Sequence, residues 1–267
     1  MIKLIAIDLD GTLFDKEKNI SEENKQAIKE AKEKGIYVVI ATGRPYHGVY
    51  PVLKELNLLS DNDYVMCYNG AKIMNVGTQE VLFSRLINGK VVKELFAEAN
   101  NYNLDIHAFR ANEELITPKH NEYTDVEATI NKITDYLYDF NKISDEDEFL
   151  KAMIVSSKDN LDTLESEINP KFYNEYSMVR SSNIFLEFLN KETDKGLALK
   201  HLAKYLNIDL SEVMALGDAG NDLNMIITAG YGVAMENGFP VVKQAAKYIT
   251  DTNENSGVGK AIKKYAL

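Results

Sequence analysis

The chain of 267 residues contains one cysteine and five prolines, and its 30 lysines and arginines fall short of its 41 aspartates and glutamates. The lone Cys67 excludes an internal disulfide, and no signal-peptide pattern precedes a strand expected to begin at Ile2, so a cytoplasmic protein is expected. A net charge of -11 repels a phosphodiester backbone, which removes nucleic acid from the expected partners. No apolar stretch approaches the ~20 residues of a membrane span. Scarce proline, 45% hydrophobic and 27% charged residues describe an ordinary globular chain rather than a disordered one. Internal repeats, low-complexity tracts and flexible linkers are also missing, and nothing in the sequence speaks to oligomeric state.

What is present begins with "MIKLIAIDLDGTLFD". The run Leu4, Ile5, Ala6, Ile7 reads as a strand buried on both faces, the pattern of a parallel sheet covered by helices. "NISEENKQAIKEAKEKG" reads as a helix with Ser21 as N-cap and Gly35 as stop, followed by the strand "IYVVIATG" and the helix "YHGVYPVLKELNLL". This is a βαβ unit with parallel strands. The rhythm returns in "KGLALKHLAKYLNI" (helix), "VMALGD" (strand), "NDLNMIITAG" (helix), "YGVAM" (strand) and "PVVKQAAKYI" (helix). Between them, strands such as "LDIHAFR", "EELITP", "KAMIVSS", "SMVRSS" and "IFLEFLN" mix with helices near Lys90, Thr124 and Asn160. The expected fold is therefore α/β: a doubly wound, Rossmann-like parallel core formed by residues 1–80 and 190–267, with an α+β cap inserted at 81–189.

Ligands of such cores bind outside the carboxyl ends of the strands, and four strand ends carry reactive groups. They are Asp8-Leu9-Asp10-Gly11-Thr12, then Thr42 and Gly43 of "IATGRP", then Lys195-Gly196 behind the cap candidates Thr193 and Asp194, and then Asp218, Asn221 and Asp222 of "LGDAGNDLNM". Asp8 and Asp10, two apart, face one site if the strand persists. Lys195 opens a helix at the positive end of its dipole, a conflict that an anion between them relieves. Several carboxylates with room for water suit Mg²⁺ bound together with a substrate phosphate, and lysine, hydroxyl and backbone N–H groups suit the remaining phosphate oxygens. With that charge neutralised, Asp8 can attack phosphorus and Asp10 can serve as general acid and then base.

The motifs "DLDGTL", "TGR", "DKG" and "GDAGNDLNM", in that order, with "YNGA" and "GVAM", resemble the haloacid dehalogenase-like phosphohydrolases, and within them the Cof-type branch with its large α/β cap. The resemblance spans nearly the whole chain, although in the cap it extends only to length and strand–helix rhythm. It implies a Mg²⁺-dependent phosphatase acting on a small phosphorylated metabolite, with sugar phosphates the leading class. A phosphomutase and a catalytically idle sugar-phosphate-binding regulator are the alternatives. By the same resemblance Asp8 is the nucleophile and a metal ligand, Asp10 the acid/base and a metal ligand through its carbonyl, and Asp218 a metal ligand. Thr42, Lys195 and Asn221, with the backbone N–H groups of Leu9 and Gly43, would bind phosphate, and Asp222 would orient Lys195 or a metal-bound water. The chain departs from the branch at "MENG", where Gly-Asn-Ala is expected, and at "SGVGKAI", leaving the shape near Asn237 open.

Plainer readings stand beside these. Asp8 and Asp10 alone could form an Asx-capped turn, and Lys195 could pair with Glu192 or Asp194. Arg44 either touches substrate or closes an ion pair. His47, His107, His120 and His201 lack metal-like spacing, and Tyr136, Tyr138, Phe140 and Cys67 read as packing residues.

Overall fold

The computed structural model describes residues 1–267. It opens with β1 (Leu4–Ile7), α1 (Glu22–Glu33), β2 (Tyr37–Ala41) and α2 (Tyr46–Glu55). The Ser21 side chain accepts the Asn24 N–H and starts α1, and Gly35, at φ 78°, follows its end. The chain continues through β3 (Tyr64–Cys67), β4 (Lys72–Asn75) and β5 (Val81–Ser84).

Next come β6 (Ile87–Asn88), α3 (Gly89–Asn101), β7 (Asp105–Arg110), β8 (Leu115–Thr117), α4 (Glu122–Asn131) and β9 (Asp135–Leu137). They are followed by β10 (Glu148–Val155), α5 (Lys158–Glu167), α6 (Pro170–Glu175), β11 (Tyr176–Ser182) and β12 (Phe185–Asn190). The chain then returns to its first layer with α7 (Lys195–Tyr205), β13 (Val213–Gly217), α8 (Leu223–Thr228), β14 (Tyr231–Ala234), α9 (Pro240–Ala245), β15 (Tyr248–Ile249) and α10 (Gly257–Tyr265).

Two compact units result. One holds Met1–Gly43, Val49–Phe83 and Asp194–Leu267; the other holds Arg44–Gly48 and Ser84–Thr193. The first unit is built on a sheet ordered β15-β14-β13-β1-β2-β3-β4-β5, in which β15 through β3 run parallel and β4 turns back antiparallel on β3. Leu4, Ala6, Val39, Ala41, Val213 and Ala215 pack on Ala198, Leu199 and Leu202 of α7, while Ile5, Ile7, Val38 and Ile40 are buried on the opposite face. Both faces are covered, which is why these strands read as unbroken apolar runs. β1 and β13 lie side by side at the centre, in the register Ile7↔Leu216, so the loops after them start together.

The second unit is a sheet ordered β11-β12-β10-β7-β8-β9, with β6 beside β10. Its pairs are antiparallel except β8 with β9, so the sheet is mixed rather than purely antiparallel. α3, α5 and α6 cover one face through Val92, Leu95, Leu161, Leu164 and Phe172. Phe140 is buried in this core, whereas Tyr136 is 51% exposed and does not pack as expected. "PVVKQAAKYI" also differs from its expected form: the helix stops at Ala245 and Tyr248–Ile249 becomes the edge strand β15.

Candidate active site

The strand β1 ends at Ile7, and the N–H of Asp8 still donates to the Leu216 carbonyl at 3.0 Å, holding Asp8 at the mouth between β1 and β13. Asp194 caps α7 by accepting the Leu197 N–H at 2.8 Å, which makes Lys195 the first helical residue. The Lys195 side chain is completely buried, with Nζ 2.6 Å from Asp8 Oδ1 and 2.7 Å from Asp222 Oδ1. Its partners are therefore neither Glu192, which pairs with Arg85 at 3.2 Å, nor the capping Asp194. The other oxygen of Asp222 accepts the N–H groups of Asp218 and Ala219 at 3.0 and 3.1 Å. Both its oxygens are engaged, so Asp222 fixes Lys195 and ties the Asp218 loop beneath it.

Asp218 receives the Thr12 hydroxyl at 2.9 Å. Gly11 makes this approach possible: its φ is 88°, and a Cβ there would stand 2.5 Å from Asp218 Oδ2. Gly196 is required in the same way, since its Cβ would stand 2.5 Å from the Asn224 carbonyl oxygen.

Three carboxylates, Asp8, Asp218 and Asp222, offer oxygens within 4.8 Å of one another against one buried ammonium. Burial and the charge of Asp222 push the Asp8 carboxyl up to about 8, against the pull of Lys195. Burial and Asp222 likewise push Asp218 up to about 6. Burial alone would lower Lys195, but Asp222 and Asp8 hold it above the ordinary lysine range. The pocket thus carries more negative charge than its own lysine balances, and a divalent cation suits such a donor set.

The remaining sequence-derived residues distribute unequally. Thr42 is buried one residue past β2, its N–H donating to the Met66 carbonyl and its carbonyl accepting the Asn69 N–H, each at 2.9 Å. Gly43 lies against the Asn69 side chain, and Asn221 Nδ2 donates to Asn69 Oδ1 at 3.0 Å, which joins the second strand end to the fourth. Leu9 is buried and its carbonyl accepts the N–H groups of Leu13 and Phe14 at 3.0 and 2.9 Å, closing the turn after the strand. For Asp10 the condition on its direction, that the strand persists, is not met. The strand stops at Ile7, so the alternation lapses, and the Asp10 carboxylate is 43% exposed in an ion pair with Lys18 at 2.5 Å. Its charge still raises Asp218. Arg44 belongs to the second unit, where its charge acts on Glu127.

The model of the haloacid dehalogenase-like hydrolases matches residues 5–262, which include every strand end just described. The chain belongs to that family. It is a phosphatase, a phosphoric monoester hydrolase, like its named relatives. The chain is 37% identical over 268 residues to M6_Spy0533 of Streptococcus pyogenes serotype M6, provisionally named a phosphatase, covering 100% of this chain and 99% of that one. It is 33% identical over 268 residues to 5-amino-6-(5-phospho-D-ribitylamino)uracil phosphatase YcsE of Bacillus subtilis, covering 100% and 96%. Among solved structures, a haloacid dehalogenase-like hydrolase from Bacteroides thetaiotaomicron superposes with a TM-score of 0.88 at 34% identity, over 99% of each chain.

Sequence reasoning passed over two residues of this phosphatase's site. Thr12 stands inside "DLDGTL" without a role, and its hydroxyl orients Asp218. Asn69 stands inside "YNGA" at φ 56°, a region that asparagine tolerates best among residues with a side chain. No helix is long and apolar enough to cross a membrane.

Proposed function

We propose that this phosphatase is Mg²⁺-dependent and cytoplasmic and hydrolyses small sugar or sugar-alcohol phosphates through an aspartyl phosphate on Asp8. The observation that carries the proposal is the buried Lys195 held between Asp8 and Asp222, with Asp218 alongside. Asp8, Asp218 and the Asp10 carbonyl would hold Mg²⁺, which when bound neutralises phosphoryl charge.

Asp8 attacks phosphorus while the bond to the leaving oxygen breaks, and the Asp10 carboxyl donates its proton to that oxygen. Asp10, now a carboxylate, takes a proton from water as the water attacks the aspartyl phosphate, releasing inorganic phosphate and restoring both side chains. The Lys195 ammonium, the Thr42 hydroxyl, the Asn221 amide and the N–H groups of Leu9 and Gly43 would hold the phosphoryl oxygens. Fixed donors of this kind are worth roughly 10²–10³ in rate each. Asp222 keeps Lys195 in place. Residues 81–189 would act as the cap that governs which esters reach the site.

The sugar-phosphate reading draws support from YcsE, whose name gives a phosphate on a ribityl chain as its substrate. Purified protein with Mg²⁺ and a panel of sugar, sugar-alcohol, nucleotide and cofactor phosphates should release phosphate fastest from the first two groups, and EDTA should stop it. Isomerised ester without free phosphate would point instead to a mutase, and tight binding without turnover to a regulator.

A further inference from the structure

A hydrogen-bonded clamp on the segment after Asp10 has no part in the chemistry described so far. Asn237, in the turn after β14, donates through Nδ2 to the Gly11 carbonyl at 2.8 Å, and its Oδ1 accepts the Asn253 N–H at 2.9 Å. The second bond fixes which way the amide points, because only its oxygen can accept that N–H. Asn253 then donates through its own Nδ2 to the Phe14 carbonyl at 2.8 Å, and Glu254 Oε1 accepts the Lys16 N–H at 2.7 Å. The same turn is pinned to the other acidic loop: Met235 N–H donates to the Gly217 carbonyl at 3.0 Å and Phe239 N–H to the Asp218 carbonyl at 2.8 Å. One short turn therefore grips both the peptide next to Asp10 and the backbone of Asp218.

We propose that Asn237 and Asn253 are positioning residues for Asp10: they hold the backbone from which its carboxylate, paired with Lys18 in this structure, turns towards the leaving oxygen. Resting on the phosphatase mechanism proposed above, this gives a role to the stretch "MENG". Gly11 turns the chain at φ 88°, and Asn237 holds the carbonyl of that residue, the one directly following Asp10. Without that hold the nucleophile stays in place, since Asp8 is fixed by Lys195 and by the β1–β13 ladder. The larger loss falls on proton delivery, because the Asp218 loop keeps its own bonds from the Met235 and Phe239 N–H groups.

Two aryl esters separate these effects. p-Nitrophenolate leaves without needing a proton, whereas the phenolate of phenyl phosphate needs one, and kcat/KM reports the step in which it leaves. In the full-length enzyme with Mg²⁺, Asn237→Leu should lower kcat/KM for phenyl phosphate about 10-fold more than for p-nitrophenyl phosphate. Asp10→Ala should show the same selective pattern more strongly. Asn253→Asp, which keeps the backbone N–H but loses the donor to Phe14, should shift the ratio in the same direction by less, and covers the case in which Asn237→Leu fails to fold. Equal losses on both esters, or no loss, would overturn the clamp's role while leaving the phosphatase reading intact. Wild-type protein inactive on both esters would instead defeat that reading, and the clamp's role with it.

Discussion

Two of the protein's buried lysines, one in each unit, lie between two carboxylates. Lys195 lies between Asp8 and Asp222 in the parallel-sheet unit, and Lys151 lies in the mixed-sheet unit 3.2 Å from Glu187 and 3.6 Å from Glu127, above the Phe109 ring. In both, burial alone would lower the lysine, and the paired carboxylates raise it instead. The surroundings differ. Lys151 stands within β10, with β7 and β12 on either side, and Glu187 and Glu127 face it. Lys195 opens a helix at a cluster of strand ends, among glycines that let backbones approach, and Asp218 adds a further carboxylate. A buried ion pair by itself therefore says little about chemistry. The surplus negative charge and the irregular backbone at strand ends distinguish the candidate site.

This contrast can be broken at several points. Asp8→Asn should lower kcat by roughly 10⁴-fold or more without lowering the thermal midpoint, because it removes the nucleophile and one of three crowded carboxylates together. Retained turnover would place the nucleophile elsewhere. Lys195→Met should lower kcat/KM by roughly 10²–10³, as expected when a fixed donor to phosphoryl oxygens is lost. Lys151→Met should act on stability, costing about 3–5 kcal/mol by leaving Glu187 buried without its cation and Glu127 with only the Arg44 charge, as measured by urea unfolding. The combined variant Lys151→Met, Glu127→Gln, Glu187→Gln should recover most of that loss. If it does not, the cluster contributes more than paired charge.

The smallest expected effect concerns His107, which is buried against Thr124 and Met153 and held down to about 3 by burial and by Lys151. A histidine depressed in the folded state binds a proton more readily when unfolded. Its stabilising contribution is thus complete above about 6.5 and is lost as pH falls towards 3. The difference in melting temperature between wild type and His107→Gln should narrow steadily between pH 6.5 and 4. A constant difference would mean that His107 does not titrate in this way.

The parallel core was readable because strands covered on both faces leave unbroken apolar runs and because Ser21 and Gly35 frame α1. The four strand ends of the candidate site drew notice for a related reason: carboxylates and a lysine beside such runs need partners. Short elements left weaker traces. β9 is three residues with Tyr136 and Leu137 exposed, so no alternation advertises it, and β15 is two residues following a helical pattern. The direction of Asp10 was not readable, because strand alternation applies only while the strand lasts and β1 ends at Ile7. Asn69 and Asn237 act through hydrogen bonds to segments distant in sequence, and no local pattern encodes such pairings.

The central claim is that Asp8 carries the phosphoryl group in transit. The most direct measurement is rapid acid quenching of enzyme mixed with Mg²⁺ and its best phosphate ester, followed by peptide mass mapping. The account predicts one added phosphoryl group on the peptide bearing Asp8, present during turnover, cleaved by hydroxylamine and missing from Asp8→Asn. A phosphoryl group on another residue, or steady phosphate release with none trapped at any quench time, would contradict it.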